Sequence, residues 1–281
     1  MFIQPYYPHE LRFAYCYRVY FRCRTRALRS VAPLKNLDRR ALNALVAPYN
    51  LRVLQVAADE TDILAILSLT PTETIAAAAG KLKGRISKWL AEALLLSEPA
   101  KILSQGYFAC TIGKSRRENV ERYLSSQAEH HGYASRVNPP ILVKQYELST
   151  TDYARISPKH ATVIAQFHVV LATRYRKGVF GSQQALHVSD EWLTLLKVMP
   201  IFIRKVSFVP DHVHIALRSH PSLAPADIVI ALMNTAQQAL STELVRAGLD
   251  RLWEEAAYIG SYGDLASPQV GKYIENWKKC R

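Results

Sequence analysis

The chain has 281 residues, 49% of them apolar and 21% charged. That is enough to bury real cores and too hydrophobic for a disordered chain, and by length it holds about two domains on a prior of ~150 residues each. Lys and Arg total 36 against 23 Asp and Glu, a formal charge of +13, which suits a polyanion, with nucleic acid the commonest in a cytosol. No run of 18 apolar residues occurs, so no spanning helix and no membrane partner are expected. The opening MFIQPYYPHELRFAY lacks the pattern of a secretory signal. Cys16, Cys23, Cys110 and Cys280 lack CxxC spacing, which excludes a zinc ribbon and points to reduced thiols in the cytoplasm.

In chain order, YCYRVYFRCRTRALRS from Tyr15 alternates like a strand and ends in a basic turn. LQVAADETDILAILSL from Leu54 is strand-like, TPTETIAAAAGKLKGRISKWL from Thr70 is helical, and GYFACTIGKSRRENVERYLSSQ, ending at Gln127, reads strand then helix. ILVKQYEL from Ile141 adds a possible strand inside an NPP- and STTDY-containing linker. The series then returns as FHVVLATRYRKGVF from Phe167, VSFVPDHVHIALRS from Val206, APADIVIALMNTAQQAL from Ala224, and AYIGSYGDLASPQVGKYIENW ending at Trp277. Both central helices open with Pro and an acidic residue near their starts, as helix N-termini favour. Aligning Tyr17 with Phe167, Asp59 with Asp211 and Tyr123 with Tyr273 gives offsets of 150, 152 and 150. One α+β unit with an antiparallel sheet thus occurs twice, at 1–135 and 161–281, joined by a linker at 136–160.

The sharpest chemical signal is Pro210-Asp211-His212-Val213-His214. On a strand, residues i and i+2 share a face, so His212 and His214 present two imidazoles spaced for one divalent ion. Two such histidines can equally lie on a solvent face and bind nothing, and no third ligand is obvious nearby. The alignment puts Glu60 and Asp62 at the corresponding positions of the first copy. The second signal is the last helix of each copy. Tyr123 and Gln127 are four apart and share a helical face, while the second copy has Tyr273 and Trp277 there. A lone tyrosine on a helix is usually a packing residue.

PDHVHIAL on a strand, with GYFACTIG before a YLSSQ helix in one copy and a YIENW helix in the other, resembles the HUH single-tyrosine transposases of bacterial insertion sequences. The resemblance covers nearly the whole chain, once per copy. It implies two tandem ferredoxin-like domains paired as an internal pseudodimer, so that the chain is a monomer. It implies that Tyr123 is the nucleophile and that His212, His214 and Gln127 hold Mg²⁺ or Mn²⁺. Family sites are composite across a dimer, so the histidines of one copy would meet the Tyr–Gln helix of the other. Glu60, Asp62, Tyr273 and Trp277 would then form a degenerate second site. The implied partner is single-stranded DNA with hairpin-forming ends, cut and rejoined through a 5′-phosphotyrosine. Arg22, Arg24, Arg26, Lys81, Lys83, Arg85, Arg174, Arg176 and Lys177 are candidate phosphate contacts. The rival expectation is a catalytically silent, domesticated DNA-hairpin binder. An RNA-binding module is disfavoured because no RNP-type string occurs. An HxHxDH hydrolase is excluded because Ala216 and Leu217 replace the required Asp and His.

Overall fold

The structure is a computed structural model describing residues 5–96, 101–127 and 142–279. The first half runs β1 (Arg12–Cys16), β2 (Arg18–Arg24), α1 (Arg39–Val46), β3 (Arg52–Ala58), β4 (Asp62–Ser68), α2 (Ile75–Ala93), β5 (Phe108–Ile112) and α3 (Arg117–Ser125). After it come β6 (Leu142–Gln145) and α4 (Thr150–Ile156). The second half runs β7 (Thr162–Thr173), α5 (Ser182–Leu195), β8 (Ile201–Val209), β9 (His212–Ser219), α6 (Pro225–Ala239), α7 (Ser241–Arg246), β10 (Trp253–Ser261) and α8 (Ser267–Lys279). The stretch read as one strand in each copy is a hairpin, β3–β4 and β8–β9. Part of the segment read as a linker is ordered, because β6 adds antiparallel to the outer edge of β8. The rest of that linker, before residue 142, lies outside the described residues, as does Cys280. Cys16, Cys23 and Cys110 are free thiols.

The two halves order their strands alike. β2 lies between β4 and β5 with β3 outside β4; β7 lies between β9 and β10 with β8 outside β9, and every pairing within a half is antiparallel. Parallel pairings join the halves: β1 runs beside β10, and β5 beside the start of β7. The described strands therefore form one ten-stranded sheet with a shared core.

Local chemistry explains the elements. Asp38 accepts a hydrogen bond from Ala41 N at the start of α1, and Thr74 accepts one from Ala77 N at the start of α2. Pro225 opens α6, where its missing N–H costs nothing. Along β2, Val19, Phe21 and Cys23 face Leu42, Leu82 and Ile86 of α1 and α2 in the main core. Its other face, with Tyr20, meets Leu64, Ile66, Ile112 and, from the second half, Val270 and Ile274 of α8. In the mirror relation, Val120 and Leu124 of α3 pack on Ala216 and Tyr262 of the second half. Each half thus lays its last helix on the other half's sheet.

The hydrogen bonds at the crossing repeat in both directions. Arg117 N donates to Gly263 O at 2.8 Å and Ser267 N to Gly113 O at 2.8 Å. Each bond satisfies an amide in the first turn of a terminal helix, which has no partner within its own helix. Thr111 Oγ1 donates to Tyr262 O at 2.7 Å, and Ser261 Oγ to Ile112 O at 2.7 Å. Ala76 N donates to Pro221 O and Ala226 N to Pro71 O. No helix among the described residues is long and apolar enough to cross a membrane.

Candidate active site

Strand register places the histidines. β9 pairs antiparallel with β7, setting His214 opposite Val170 and His212 opposite Ala172. His212 and His214 are both buried and share one face of β9, their ring centroids 4.9 Å apart. His212 Nδ1 bonds Asp211 Oδ1 at 2.7 Å, and Asp211 Oδ2 in turn meets Arg176 Nη2 at 2.9 Å. A carboxylate accepting from Nδ1–H fixes the tautomer that keeps the Nε2 lone pair. Arg176 reaches Asp211 from a turn in which Tyr175 and Arg176 both hold left-handed backbone, φ 57° and 54°. Such geometry costs about 1 kcal/mol per non-glycine residue. The first half repeats the strained turn at Ala27 and Leu28, but Leu28 there carries no charge.

A third imidazole, which the spacing gave no reason to expect, stands beside them. His168 of β7 stacks on His214 with centroids 5.3 Å apart and Nε2 to Nδ1 at 3.1 Å. Burial pushes the His168 pKa down to about 4, which leaves it neutral near pH 7 although part of its surface is exposed. The sequence hint was period two in FHVVLAT, but its neighbour is set by cross-strand pairing.

From the first half, α3 brings Tyr123 onto this group. Its ring stands edge-on to His214 at 5.3 Å and to His168 at 6.2 Å. Gln127 is fully buried and its Nε2 donates to Tyr123 O at 2.7 Å. Tyr262 is a buried floor beside Val120 and Leu124. A cavity of about 350 Å³ opens alongside, lined by Tyr15, Lys114, Ser115, His168 and Tyr258 among others. Tyr123, Gln127 and Lys114 come from one half and the three histidines from the other. Among the described residues no group of three His, Cys, Asp or Glu could hold a metal.

The second expected site is arranged differently. Thr25 N donates to Thr61 O as Thr173 N donates to Asp211 O, and Arg24 pairs with Asp62 as Ala172 pairs with His212. The counterparts of His212 and His214 are therefore Asp62 and Leu64, not Glu60 and Asp62, and the counterpart of His168 is Tyr20. The two-residue difference arises because an alternating strand matches itself after a slip of two. Glu60 sits in the β3–β4 turn, bonded to Ser30 and 3.5 Å from Lys35. Tyr273 is exposed, and Trp277 packs with Leu54, Phe108 and Cys110 against a small apolar cluster.

Asp62 is buried and takes Arg22 and Arg24 at 2.7 and 3.0 Å. Burial raises its pKa, but the hydrogen bonds from Arg22 and Arg24 outweigh that and hold it below the ordinary 3.8. The sign follows: ionised Asp62 stabilises the fold above pH 3.8, and that contribution is lost as pH falls through the lower folded value. Asp62→Asn is expected to cost about 1–3 kcal/mol at pH 7. Urea unfolding should show the gap to the parent narrowing below pH 3.8; a gap of constant size would refute the assignment.

The other basic candidates divide. Lys81 is paired with Glu73 at 2.6 Å, Lys83 donates to Gln105 O at 2.6 Å, and Arg85 donates to Leu45 O at 3.0 Å. Arg174 is paired with Asp250 at 2.7 Å. Arg26 and Lys177 are exposed on the two strained turns.

The sequence profile of the family "Transposase IS200 like" matches residues 12–127 and again residues 162–277. A solved structure described as a "putative transposase" from Deinococcus radiodurans R1 is similar over 40% of this chain and 90% of its own, at 23% identity and a TM-score of 0.34. No curated protein matches the chain. Two family matches that together span well over half of the chain, each covering one of its structural halves, make this protein a member of the IS200-like transposase family that carries the family's unit twice.

Proposed function

We propose that this protein nicks and rejoins single-stranded DNA at one composite site, with Tyr123 as nucleophile and His212, His214 and Gln127 holding Mg²⁺ or Mn²⁺. Family membership makes DNA transposition the setting. The observation that carries the reading is the edge-on contact, 5.3 Å between centroids, of Tyr123 from the first half with His214 from the second. We read each half as ferredoxin-like and the pair as an internal pseudodimer. The shared strand order and the reciprocal bonds at Gly113 and Gly263 support this. Since one chain supplies both halves, the active species is a monomer.

The donor set suits a divalent ion. Asp211 holds His212 in the tautomer with a lone pair on Nε2. The amide nitrogen of Gln127 is engaged with its own helix, so Oε1 is its ligand atom. The ion, when bound, polarises the scissile phosphate as a Lewis acid. The chain does the rest. Tyr123 Oη, having lost its proton, attacks phosphorus and forms a phosphotyrosine bond, while the P–O3′ bond breaks and the 3′ oxygen leaves with the electron pair and takes up a proton. A 3′-OH returning in the reverse direction rejoins the strand. Lys114 and Ser115 line the adjacent cavity, where a flanking phosphate can lie against the ammonium group.

The test is incubation with hairpin-bearing single-stranded DNA and Mn²⁺, followed by denaturing electrophoresis. A covalent protein–DNA band is expected, absent with EDTA and reduced at least about 100-fold in His212→Ala. Tight binding with no covalent band at any metal concentration would leave the silent hairpin-binding reading and overturn this one.

A further inference from the structure

The half-site that lacks imidazoles has acquired a different chemistry. Tyr20, Arg22 and Arg24 alternate onto one face of β2. Asp62 Oδ1 accepts from Arg22 Nε and Nη2 at 2.9 and 2.7 Å and from Arg24 Nε at 3.0 Å. One carboxylate neutralises one guanidinium, so the cluster keeps a net positive charge, and Arg24 leaves 50% of its side chain exposed. Beside it opens a cavity of about 460 Å³ lined by Tyr20, Arg22, Arg24, Ser104, Tyr107 and Phe108. Tyr20 and Phe108 meet edge-on with centroids 6.0 Å apart, and Lys83 Nζ stands 5.8 Å from the Tyr107 ring centroid. Leu64, at the His214 position, has no ligand atom, and Asp62 is committed to guanidinium.

Net positive charge beside the half-buried rings of Tyr107, which also packs on Phe21, and Phe108, with no metal-ligating group of three among the described residues, matches one ligand chemistry. Arginine forks hold phosphodiesters bidentately, and aromatic faces stack bases without regard to sequence. We infer that the degenerate half-site is a metal-independent clamp for single-stranded DNA, which holds a phosphodiester on Arg22 and Arg24 and a neighbouring base against Tyr107 and Phe108 and does not cleave. The inference rests on the DNA substrate proposed above and on nothing in its cleavage step. The site on the second half's sheet cuts, and the site on the first half's sheet holds.

The full-length Tyr123→Phe protein, which cannot form the covalent bond, is titrated with fluorescein-labelled hairpin DNA carrying a single-stranded flank, in EDTA, across a range of salt. Arg24→Gln should weaken binding about tenfold and lower the log–log salt slope by about 1. Arg22 keeps its bonds to Asp62 in that variant, so the fold should be kept, which circular dichroism checks. With 5-iodouracil in the flank, photocrosslinking in EDTA should label Tyr107 or Phe108. An unchanged affinity and slope in both Arg24→Gln and Arg22→Gln/Arg24→Gln, or crosslinks that require a metal, would overturn the clamp. So would tighter binding of the equivalent RNA. If the parent protein nicks while these readouts stay flat, the clamp alone fails. If the parent protein never nicks but the slope falls, the cleavage reading alone fails.

Discussion

Tyr123→Phe should abolish the covalent DNA adduct and lower nicking by about 10³-fold or more, because it removes the single oxygen that makes the bond to phosphorus. The substitution isolates chemistry from structure. The Tyr123 ring, not its hydroxyl, makes the edge-on contacts with His168 and His214, and phenylalanine keeps that ring. Urea unfolding should show that the variant still folds cooperatively. Tyr273→Phe is the paired control. Tyr273 is exposed, and the positions equivalent to His212 and His214 in the first half hold Asp62 and Leu64. That variant should keep parental nicking and the adduct. The reverse pattern, with Tyr273 essential and Tyr123 dispensable, would end the idea of a site shared between halves in this sense.

Gly113→Ala and Gly263→Ala should each destabilise the protein by about 3 kcal/mol, the upper part of the range for forced overpacking. A Cβ on Gly113 would lie 2.1 Å from Ser261 O, and one on Gly263 would lie 2.2 Å from Thr111 O. Both obstacles are backbone atoms of the opposite half, so no side-chain rotation relieves them. The same two glycines accept the first-turn amides of α8 and α3. Any shift there also moves Tyr123 away from the histidines, and nicking should fall more than stability alone explains. Helical glycines give the contrast. Gly80 and Gly84 lie within α2, and a methyl group added at either would meet nothing within 4 Å. Alanine at these positions should stabilise by up to about 1 kcal/mol. Urea denaturation of the four variants checks the set; a Gly113→Ala protein as stable as the parent would refute the crossing argument.

Some of this was legible in the residues. The duplication shows in the blocks from Tyr15, Leu54 and Thr70 that return from Phe167, Val206 and Ala224, since each block keeps its period and order. The HxH pair, the Tyr–Gln spacing and their survival in opposite copies are likewise local patterns. The correspondence of Glu60 and Asp62 with the histidines was off by two. Alternation of apolar and polar residues repeats every two positions, and only hydrogen-bond register separates one match from the next. His168 beside His214 and the pairing of Arg176, expected as a phosphate contact, with Asp211 were not legible for a related reason. Both contacts cross between strands or reach from a turn, and no short window contains them; the Asp211–His212 bond is between neighbours, but side-chain orientation alone decides it.

Residue order along the chain decided which side chains are available: two imidazoles on one strand, a phenol and an amide on one helix, arginines where the other copy has apolar residues. Folding decided which of them meet. Parallel pairing between β1 and β10 and between β5 and β7, with two glycines thin enough to let the backbones cross, carries each last helix onto the foreign sheet. That exchange is a matter of close backbone approach and long-range hydrogen bonds, and such contacts join residues about 150 apart that share no local pattern.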